Sequence, residues 1–343
     1  ISTDQFAAPD LRDDAVTARY FGVRPCRRGG PRIETEIVRG RPIVHQYGHG
    51  GAGVTLSWGS AVEAAALVGA IVAPPGPVAI AGSGVIGLST AAALTERGYD
   101  VTIHARAMPP GTTSDVAAAM WWPVATARGE TSASHARFDR IVIESWRRFG
   151  AMDAERYGIA RLPVFETPDV TQMMHDLPDE ILRASRTTTV DRIPVPGLSV
   201  GARRFETYRI DMSRYLPALL DDLRARGVRW VERSFDTLDD LATLDAPVVV
   251  NCLGLDAGRV GADDAVFGVR GALVRLAAQP GVRYMMQFGE SYLIPREGGV
   301  VLGGTWDVLT PATIDEPPAP AAYDGILAAH RRFFGAGAAT PSA

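Results

Sequence analysis

Residues 77–87 read PVAIAGSGVIG, and this stretch decides the fold. An apolar run leads into the pattern GxGxxG, and the sequence LSTAAALTER at 88–97 predicts a helix after it. Residues 101–103, VTI, then predict a second strand. A strand, a GxGxxG turn, a helix and a second strand form the βαβ unit that binds dinucleotides, with the helix N-terminus facing the pyrophosphate. The pattern therefore predicts an α/β fold with a Rossmann-like domain.

The composition is that of a globular protein and argues against several partners. The 343 residues are 46% hydrophobic, which is enough for one or two domains with a large core. The net charge of −4 and the lack of a basic block argue against nucleic acid. Residues 61–80 are strongly apolar, but Glu63 and the prolines at 74, 75 and 77 interrupt them, so no membrane span is predicted. Two cysteines, Cys26 and Cys252, make no disulfide framework, and a cytoplasmic location is expected.

The chain contains no lysine, and all 35 of its basic residues are arginine. Pyridoxal-phosphate enzymes hold their cofactor on a Schiff-base lysine, and Walker-type loops place a lysine on the phosphates. Both kinds of chemistry are therefore excluded.

Periodicity outlines the rest of the chain. Strands are predicted within 20–46, at 228–232, at 247–250 and throughout 266–306, and short strands and turns within 160–210. Helices are predicted at 53–72, 135–150 and 213–226, the last ended by Gly227. Residues 317–320 are rich in proline and are predicted to form a loop.

Six motifs in combination resemble one family. They are GVRP (22–25), HQYGHGGAGVT (45–55), GSGVIGLST (82–90), TTSDVAAAMWWP (112–123), VNCLG (250–254) and SYLIPREGGVVLGGT (291–305). Together they resemble the D-amino-acid oxidases, within the wider group of FAD amine oxidases that includes glycine oxidase and sarcosine oxidase. The resemblance spans most of the chain.

The order of these motifs is rotated relative to the family. Residues 1 to about 72 resemble the family's tail and here precede its head, which predicts a circular permutation. A helix over 53–72 would span roughly 30 Å, about the depth of a domain, so residues 74–77 suffice to join it to the first nucleotide-binding strand. Residues 336–343 and 1–9 are then expected to be surface loops that lie close together.

The resemblance implies a Rossmann-like FAD-binding domain that interleaves along the chain with a mixed β-sheet substrate domain. Residues 42–125 and 205–265 are assigned to the FAD-binding domain, and residues 1–41, 126–204 and 266–343 to the substrate-binding domain. Non-covalent FAD is the expected cofactor. The residues expected to contact it are Gly82, Ser83, Gly84, Val85, Ile86, Gly87, Ala105, Arg106, Thr112, Thr113, Ser114, Phe235, Gly50, Gly51, Gly53, Val54 and Thr55.

The second strand of the βαβ unit ends without an acidic residue. An NAD enzyme should carry Asp or Glu there, but residues 104–106 read HAR. Arg106 fits either the 2′-phosphate of NADP or the adenosine of FAD. The segment TTSDVA at 112–117 favours FAD, because it resembles the hydroxyl-bearing segment that wraps the FAD phosphates in the family. A simple glycine-rich turn in an unrelated α/β protein is the alternative.

The glycine-rich segment at 48–55 is expected to pass against the flavin ring. A helix that begins at Gly53 beside the pyrimidine edge would place its positive end, with Thr55 as a donor, near the negative charge of reduced flavin. The alternative is a glycine-rich loop before an ordinary buried helix.

The resemblance also implies a substrate site. Arg24 matches the arginine that holds the substrate carboxylate through a two-pronged guanidinium contact, and Tyr292 matches the tyrosine that donates to the same carboxylate. The Gly51 carbonyl is expected to accept from the substrate amine, while Trp122 and Phe288 are expected to line the pocket. The alternatives are a surface ion pair for Arg24 and a core tyrosine for Tyr292. His45 and His49 lack further ligands at suitable spacing, so no metal site is predicted.

The leading hypothesis for function is FAD-dependent oxidation of a D-amino acid. Cα would lose a hydride to flavin N5, O2 would reoxidise the flavin to give H2O2, and the imino acid would hydrolyse to a keto acid and ammonia. Oxidation of glycine, of an N-alkyl amino acid or of an amine from specialised metabolism is a second hypothesis, and a non-catalytic flavin-binding protein is a third. The expected partners are a small amino acid and O2, and a homodimer is considered.

Overall fold

The computed structural model describes residues 6–170, 177–310, 313–314 and 316–335. In that part of the chain no helix is both long and apolar enough to cross a membrane.

The strands are β1 (Val16–Arg27), β2 (Arg32–Val38), β3 (Arg41–Tyr47), β4 (Pro77–Ala81), β5 (Asp100–Ala105), β6 (Ile159–Glu166), β7 (Thr188–Val190), β8 (Ala202–Ile210), β9 (Arg229–Glu232), β10 (Val248–Asn251), β11 (Val266–Leu276), β12 (Met285–Phe288), β13 (Ser291–Arg296), β14 (Gly299–Gly303) and β15 (Asp307–Val308). The helices are α1 (Gly53–Gly69), α2 (Val85–Thr95), α3 (Ser132–Ala151), α4 (Asp179–Ala184), α5 (Met212–Ala225), α6 (Leu238–Ala242), α7 (Asp256–Val260) and α8 (Pro320–Gly335).

A six-stranded sheet in the order β2-β3-β10-β4-β5-β9 contains the predicted βαβ unit. Strands β3, β10, β4, β5 and β9 run parallel, and β2 closes one edge as an antiparallel strand. The central strands β4 and β10 are apolar and almost fully buried, as expected for parallel strands that are covered on both faces. The α/β fold predicted from residues 77–103 is confirmed.

The segment that precedes the βαβ unit belongs to the same sheet. Strand β3 pairs with β10, and the helix α1 that follows β3 packs on α2 and α3. Helix α1 ends at Gly69 rather than at residue 72, although the amides of Ala70 and Val72 still donate to the carbonyls of Ala66 and Val68. The leading segment is therefore an integral part of the nucleotide-binding half.

A nine-stranded sheet follows the order β1-β11-β14-β13-β12-β6-β8-β7, with β15 paired to β11. Its side chains alternate between two faces. Leu293 points to one face and packs in a cluster with Leu327 and Phe334 of α8, whereas Tyr292 and Ile294 point to the other and meet the large core that includes α1, α2 and α3. Helix α8 was not predicted; it begins at Pro320, a position where the missing amide of proline leaves no hydrogen bond unmade.

The domain division and the circular permutation stay predictions. Strand β2, within the range assigned to the substrate-binding domain, pairs in the six-stranded sheet, and β8, most of which falls in the range assigned to the FAD-binding domain, lies in the nine-stranded sheet. Residues 1–5 and 336–343 lie outside the described residues, so the expected proximity of the two ends is not tested.

Candidate functional site

Three turns meet at the carboxyl edge of the six-stranded sheet. They follow the neighbouring strands β3, β10 and β4 and contain Gly48–Gly51, Cys252–Gly254 and the GxGxxG pattern. Gly82 has φ +109°, and a Cβ there would overlap the carbonyl oxygen of Cys252. This edge is where doubly wound sheets bind their ligands.

The GxGxxG turn directs the N-terminus of α2 to this edge of the sheet. Gly84 precedes the helix without a side-chain cap, and a Cβ on Gly87 would overlap the Gly82 carbonyl oxygen. A Cβ on Gly84 would lie 3.2 Å from the Ser114 hydroxyl. A pyrophosphate fits this cradle because the helix end supplies amides and partial positive charge.

The TTSDVA segment comes directly to this helix end. The Val85 amide donates to Ser114 Oγ at 2.9 Å. Thr112 is held in turn, because its amide and its hydroxyl donate to Asp115 Oδ2 at 2.8 and 2.7 Å. Residues Thr113–Val116 form a short 3-10 helix, and through Ser114 this segment is joined to the predicted phosphate-binding turn.

The predicted adenosine side is formed by the ends of β5 and β9. Ala105 ends β5, and Arg106 Nη1 lies 3.1 Å from Asp256 Oδ2. Phe235 is buried in the core of the sheet, and its carbonyl accepts from Arg259 Nη2 at 2.9 Å. The expected backbone contact of Phe235 with adenine stays a prediction.

The second glycine-rich segment packs tightly against residues 122–125. The Gly51 amide donates to the Ala125 carbonyl at 3.0 Å, and a Cβ on Gly50 would overlap that same oxygen. Helix α1 then begins at Gly53 without a side-chain cap. The Thr55 hydroxyl donates to the Trp122 carbonyl at 3.2 Å, so its hydrogen is already bonded within the protein, and the expected donation from Thr55 to a flavin stays a prediction.

Arg24 and Tyr292 lie on one face of the nine-stranded sheet. Gly22 of β1 pairs with Gly271 of β11, and Gly303 of β14 pairs with Tyr292 of β13. The Arg24 guanidinium lies over Gly271, and the Tyr292 ring lies over Gly303. These two glycines are roughly 8 Å apart by the spacing of strands and residues in a sheet. The sequence-predicted pair therefore converges, although 268 positions separate its members.

Gly51 reaches the same place from the other sheet. A Cβ on Gly51 would lie 3.6 Å from Arg24 Cδ. The turn after β3 and the strand β1 thus bring the predicted amine acceptor beside the predicted carboxylate anchor.

Arg24 has no acidic partner in the described part of the chain. It is partly buried, its Nη1 donates to the Thr305 carbonyl at 3.5 Å, and its Cζ lies 5.7 Å from the ring centroid of Trp306. Arg27, three residues along the strand, instead pairs with Asp263 at 2.8 Å. A partly buried guanidinium without a carboxylate favours an anionic ligand.

Trp122 and Phe288, the two residues expected to line the pocket, both pack against other aromatic rings. Trp122 is fully buried, and its ring packs on Phe205 with the centroids 4.2 Å apart. Phe288 stacks on Phe333 of α8 at 4.0 Å, on the face opposite to Tyr292. The cause is strand alternation: Gln287, not Phe288, pairs with Tyr292 and shares its face. Phe288 is therefore not brought to Arg24 and Tyr292.

Both cysteines are buried and kept as thiols. Burial raises the pKa of Cys26 to about 11, with Arg24 acting in the opposite direction, and burial also raises the pKa of Cys252. Neither thiol is activated for a covalent bond to a cofactor. Among the described residues, no group of three or more His, Cys, Asp or Glu side chains is placed to hold a metal ion.

Several residues near Arg24 and Tyr292 have no predicted role: Gly271 and Trp306 lie outside the six motifs, and Gly303 lies within the motif at 291–305. Gly271, Gly303 and Trp306 come beside Arg24 and Tyr292 through strand pairing. A signal for the glycines does exist in the sequence, because a glycine inside a strand pattern often marks the close approach of another group.

Comparison with known proteins agrees with this geometry. A family model described as FAD dependent oxidoreductase matches residues 77–342. The chain is 35% identical over 262 residues to a D-amino-acid oxidase of Rubrobacter xylanophilus, which covers 72% of this chain and 74% of that protein. It is 31% identical over 278 residues to a D-amino-acid oxidase of Streptomyces coelicolor, covering 75% and 78%.

Solved structures show the same fold at low identity. Glycine oxidase from Bacillus cereus superposes with a TM-score of 0.52 at 17% identity, over 75% of this chain and 77% of that one. Iminodiacetate oxidase from Chelativorans sp. gives 0.52 at 16% identity, over 76% and 80%. With the phosphate cradle, the match over residues 77–342 and the two relatives, the chain belongs to the D-amino-acid oxidase family of FAD-dependent oxidoreductases, and its cofactor is FAD.

Proposed function

We propose that this oxidoreductase oxidises a D-amino acid, with O2 as the second substrate. One D-amino acid, one O2 and one water would give a 2-oxo acid, ammonia and H2O2. The observation that carries the proposal is the partly buried Arg24 guanidinium, which lacks an acidic partner among the described residues and faces Tyr292 and Gly51. The names of the two relatives support the choice of D-amino acids.

Arg24 would hold the substrate carboxylate. Its planar guanidinium offers two parallel N–H donors, which match the two oxygens of a carboxylate. Tyr292 lies on the same face and would donate its hydroxyl to one of those oxygens. Two anchors on one carboxylate fix where it lies and restrict how the rest of the substrate turns.

Gly51 would orient the amine. Its amide donates to the Ala125 carbonyl, which fixes the peptide, and its own carbonyl would accept from the substrate nitrogen. Accepting that bond favours an amine whose lone pair is directed away from the carbonyl. With the carboxylate and the nitrogen held, Cα is left with one orientation of its hydrogen.

The two glycine-rich turns would hold FAD. The GxGxxG turn and the N-terminus of α2 would bind the pyrophosphate, while the start of α1 would lie at the ring. Bound FAD supplies the hydride acceptor for Cα–H oxidation. The positive end of α1 would favour the extra negative charge of the reduced ring, for which the chain offers no lysine.

A substrate panel tests the proposal. The purified yellow protein is mixed anaerobically with single D-amino acids, their L-enantiomers, glycine and N-methylglycine, and the flavin absorbance is followed; H2O2 is then measured in air. Bleaching and peroxide formation with D-amino acids support the proposal. A preference for glycine or N-methylglycine would contradict it and would identify glycine or N-alkyl amino acids as the substrates. Retained colour with every compound would show a non-catalytic flavin protein.

A cytoplasmic location is part of the proposal, because both cysteines are free thiols.

A further inference from the structure

Three glycines lie on the face of the nine-stranded sheet that carries Arg24 and Tyr292. They are Gly22 on β1, Gly271 on β11 and Gly303 on β14, and we call them the glycine floor. Gly22 pairs with Gly271, and Leu273, two residues after Gly271, pairs with Gly303, so all three lie on the face that carries Arg24 and Tyr292.

Two glycines of this floor each support one predicted anchor of the carboxylate. A Cβ on Gly271 would lie 2.7 Å from both Nη atoms of Arg24 and 2.9 Å from its Cζ. A Cβ on Gly303 would overlap the Tyr292 hydroxyl and lie 2.6 Å from its Cε2. Real Cβ atoms essentially never lie so close to other heavy atoms. Arg24 and Tyr292 therefore rest directly on the backbone.

Backbone conformation does not require glycine at these two positions. Neither Gly271 nor Gly303 has a φ in the left-handed region, in contrast to the neighbouring Gly304 at φ +147°. Both lie within regular antiparallel pairs of strands. An alanine is therefore compatible with the strand, and the space above each residue is what demands glycine.

We propose that Gly271 and Gly303 are positioning residues that set the depth at which Arg24 and Tyr292 hold the substrate carboxylate. The proposal rests on the proposed function. A methyl group at either position lifts its anchor off the sheet and moves the carboxylate toward the flavin side of the site. The glycines act on the substrate only through the positions of Arg24 and Tyr292, and they do not contact the substrate themselves.

The two positions differ in how the structure can respond. The atoms over Gly271 are the far end of a flexible side chain, so Gly271→Ala displaces the guanidinium and leaves the strand in place. The ring over Gly303 is rigid, so Gly303→Ala forces Tyr292 to change its rotamer. Gly271→Ala is therefore the cleaner test, and Gly303→Ala the independent second one.

The experiment compares Gly271→Ala and Gly303→Ala with a matched control, Gly298→Ala. Gly298 lies between β13 and β14, and a Cβ there meets no atom within 4 Å. For each FAD-loaded variant we measure FAD content, kcat and KM with the best D-amino acid, and the Kd of propionate from the change in flavin absorbance. A misplacement of about 1 Å can cost about 100-fold, so the two test variants should lose about 10- to 100-fold in kcat/KM. Their propionate Kd should rise, FAD content should stay at the wild-type level, and Gly298→Ala should stay within twofold.

A double-substitution cycle separates positioning from general damage. In an Arg24→Ala background, Gly271→Ala should change kcat/KM by less than twofold, because its effect acts through the Arg24 side chain. Three outcomes would each overturn the proposal. They are a loss of kcat/KM from Gly271→Ala that is as large in the Arg24→Ala background as in the wild type, an unchanged propionate Kd in both test variants, and a loss of FAD from those variants. If Arg24→Ala itself leaves propionate binding unchanged, the proposed function fails instead, so the two failures can be told apart.

Discussion

Replacing Arg24 by lysine is the most direct test of the substrate site. Lysine keeps the positive charge but offers a single ammonium in place of two parallel donors. The guanidinium lies over Gly271 with its Nη1 3.5 Å from the Thr305 carbonyl, so its plane is oriented by the sheet. A shorter, non-planar head group does not reproduce that orientation.

The expected loss follows from removing a charge-assisted pair inside a closed site. Truncating one partner of such a pair costs roughly 2–5 kcal/mol. Since about 1.4 kcal/mol corresponds to a factor of ten, kcat/KM should fall by roughly 30- to 5000-fold in Arg24→Ala. We expect Arg24→Lys to fall within the lower part of that range, since it retains the charge.

The assay is steady-state peroxide formation, with FAD content and thermal stability measured in parallel. Arg19→Lys is the matched control, because Arg19 lies on the same strand but pairs at the surface with Asp324 at 3.0 Å. An exposed ion pair of this kind contributes little, so this variant should behave as wild type. If Arg24→Lys keeps kcat/KM within threefold of wild type, or if Arg24→Ala loses FAD, Arg24 is not the carboxylate anchor.

Three further predictions follow. Acid precipitation should release all flavin to the supernatant, because Cys26 and Cys252 are buried thiols with raised pKa values; flavin that stays with the pellet would contradict this. Burial lowers the pKa of His49 from 6.5 to about 3, so the unfolded state binds this proton first and the free energy of unfolding should fall by up to about 1.4 kcal/mol per pH unit below pH 6.5. His49→Gln should flatten that slope between pH 6.5 and 4.5 in urea titrations, and identical slopes would show that another group causes it. Finally, a chain rearranged so that residues 1–73 follow residue 343 should still bind FAD and oxidise the same substrates; a rearranged chain that folds without binding FAD would refute the permutation as a functional arrangement.

The sequence was most informative where structure is local. The GxGxxG turn, its flanking strands and the helix after it depend on residues within about thirty positions, and the structure reproduces them as β4, α2 and β5. The same holds for α1, α3 and α5, whose apolar residues repeat with helical spacing. Helix α8 escaped prediction because residues 317–320 give a strong loop signal directly before it.

The predicted site residues depended on resemblance, and only strand pairing decided where they lie. Sequence alone determined that a βαβ unit binds a dinucleotide and that no lysine serves a cofactor. The tertiary structure decided that β1 and β13 share a sheet, which brings Arg24 to Tyr292, and that alternation turns Phe288 away. The physical reason is that contacts between strands far apart in the sequence determine the register of a strand and the face on which each side chain lies. Turns and helices are determined by residues close together in the chain. The glycine floor likewise depends on the tertiary structure, because its three glycines lie on separate strands and come together on one face only when those strands pair.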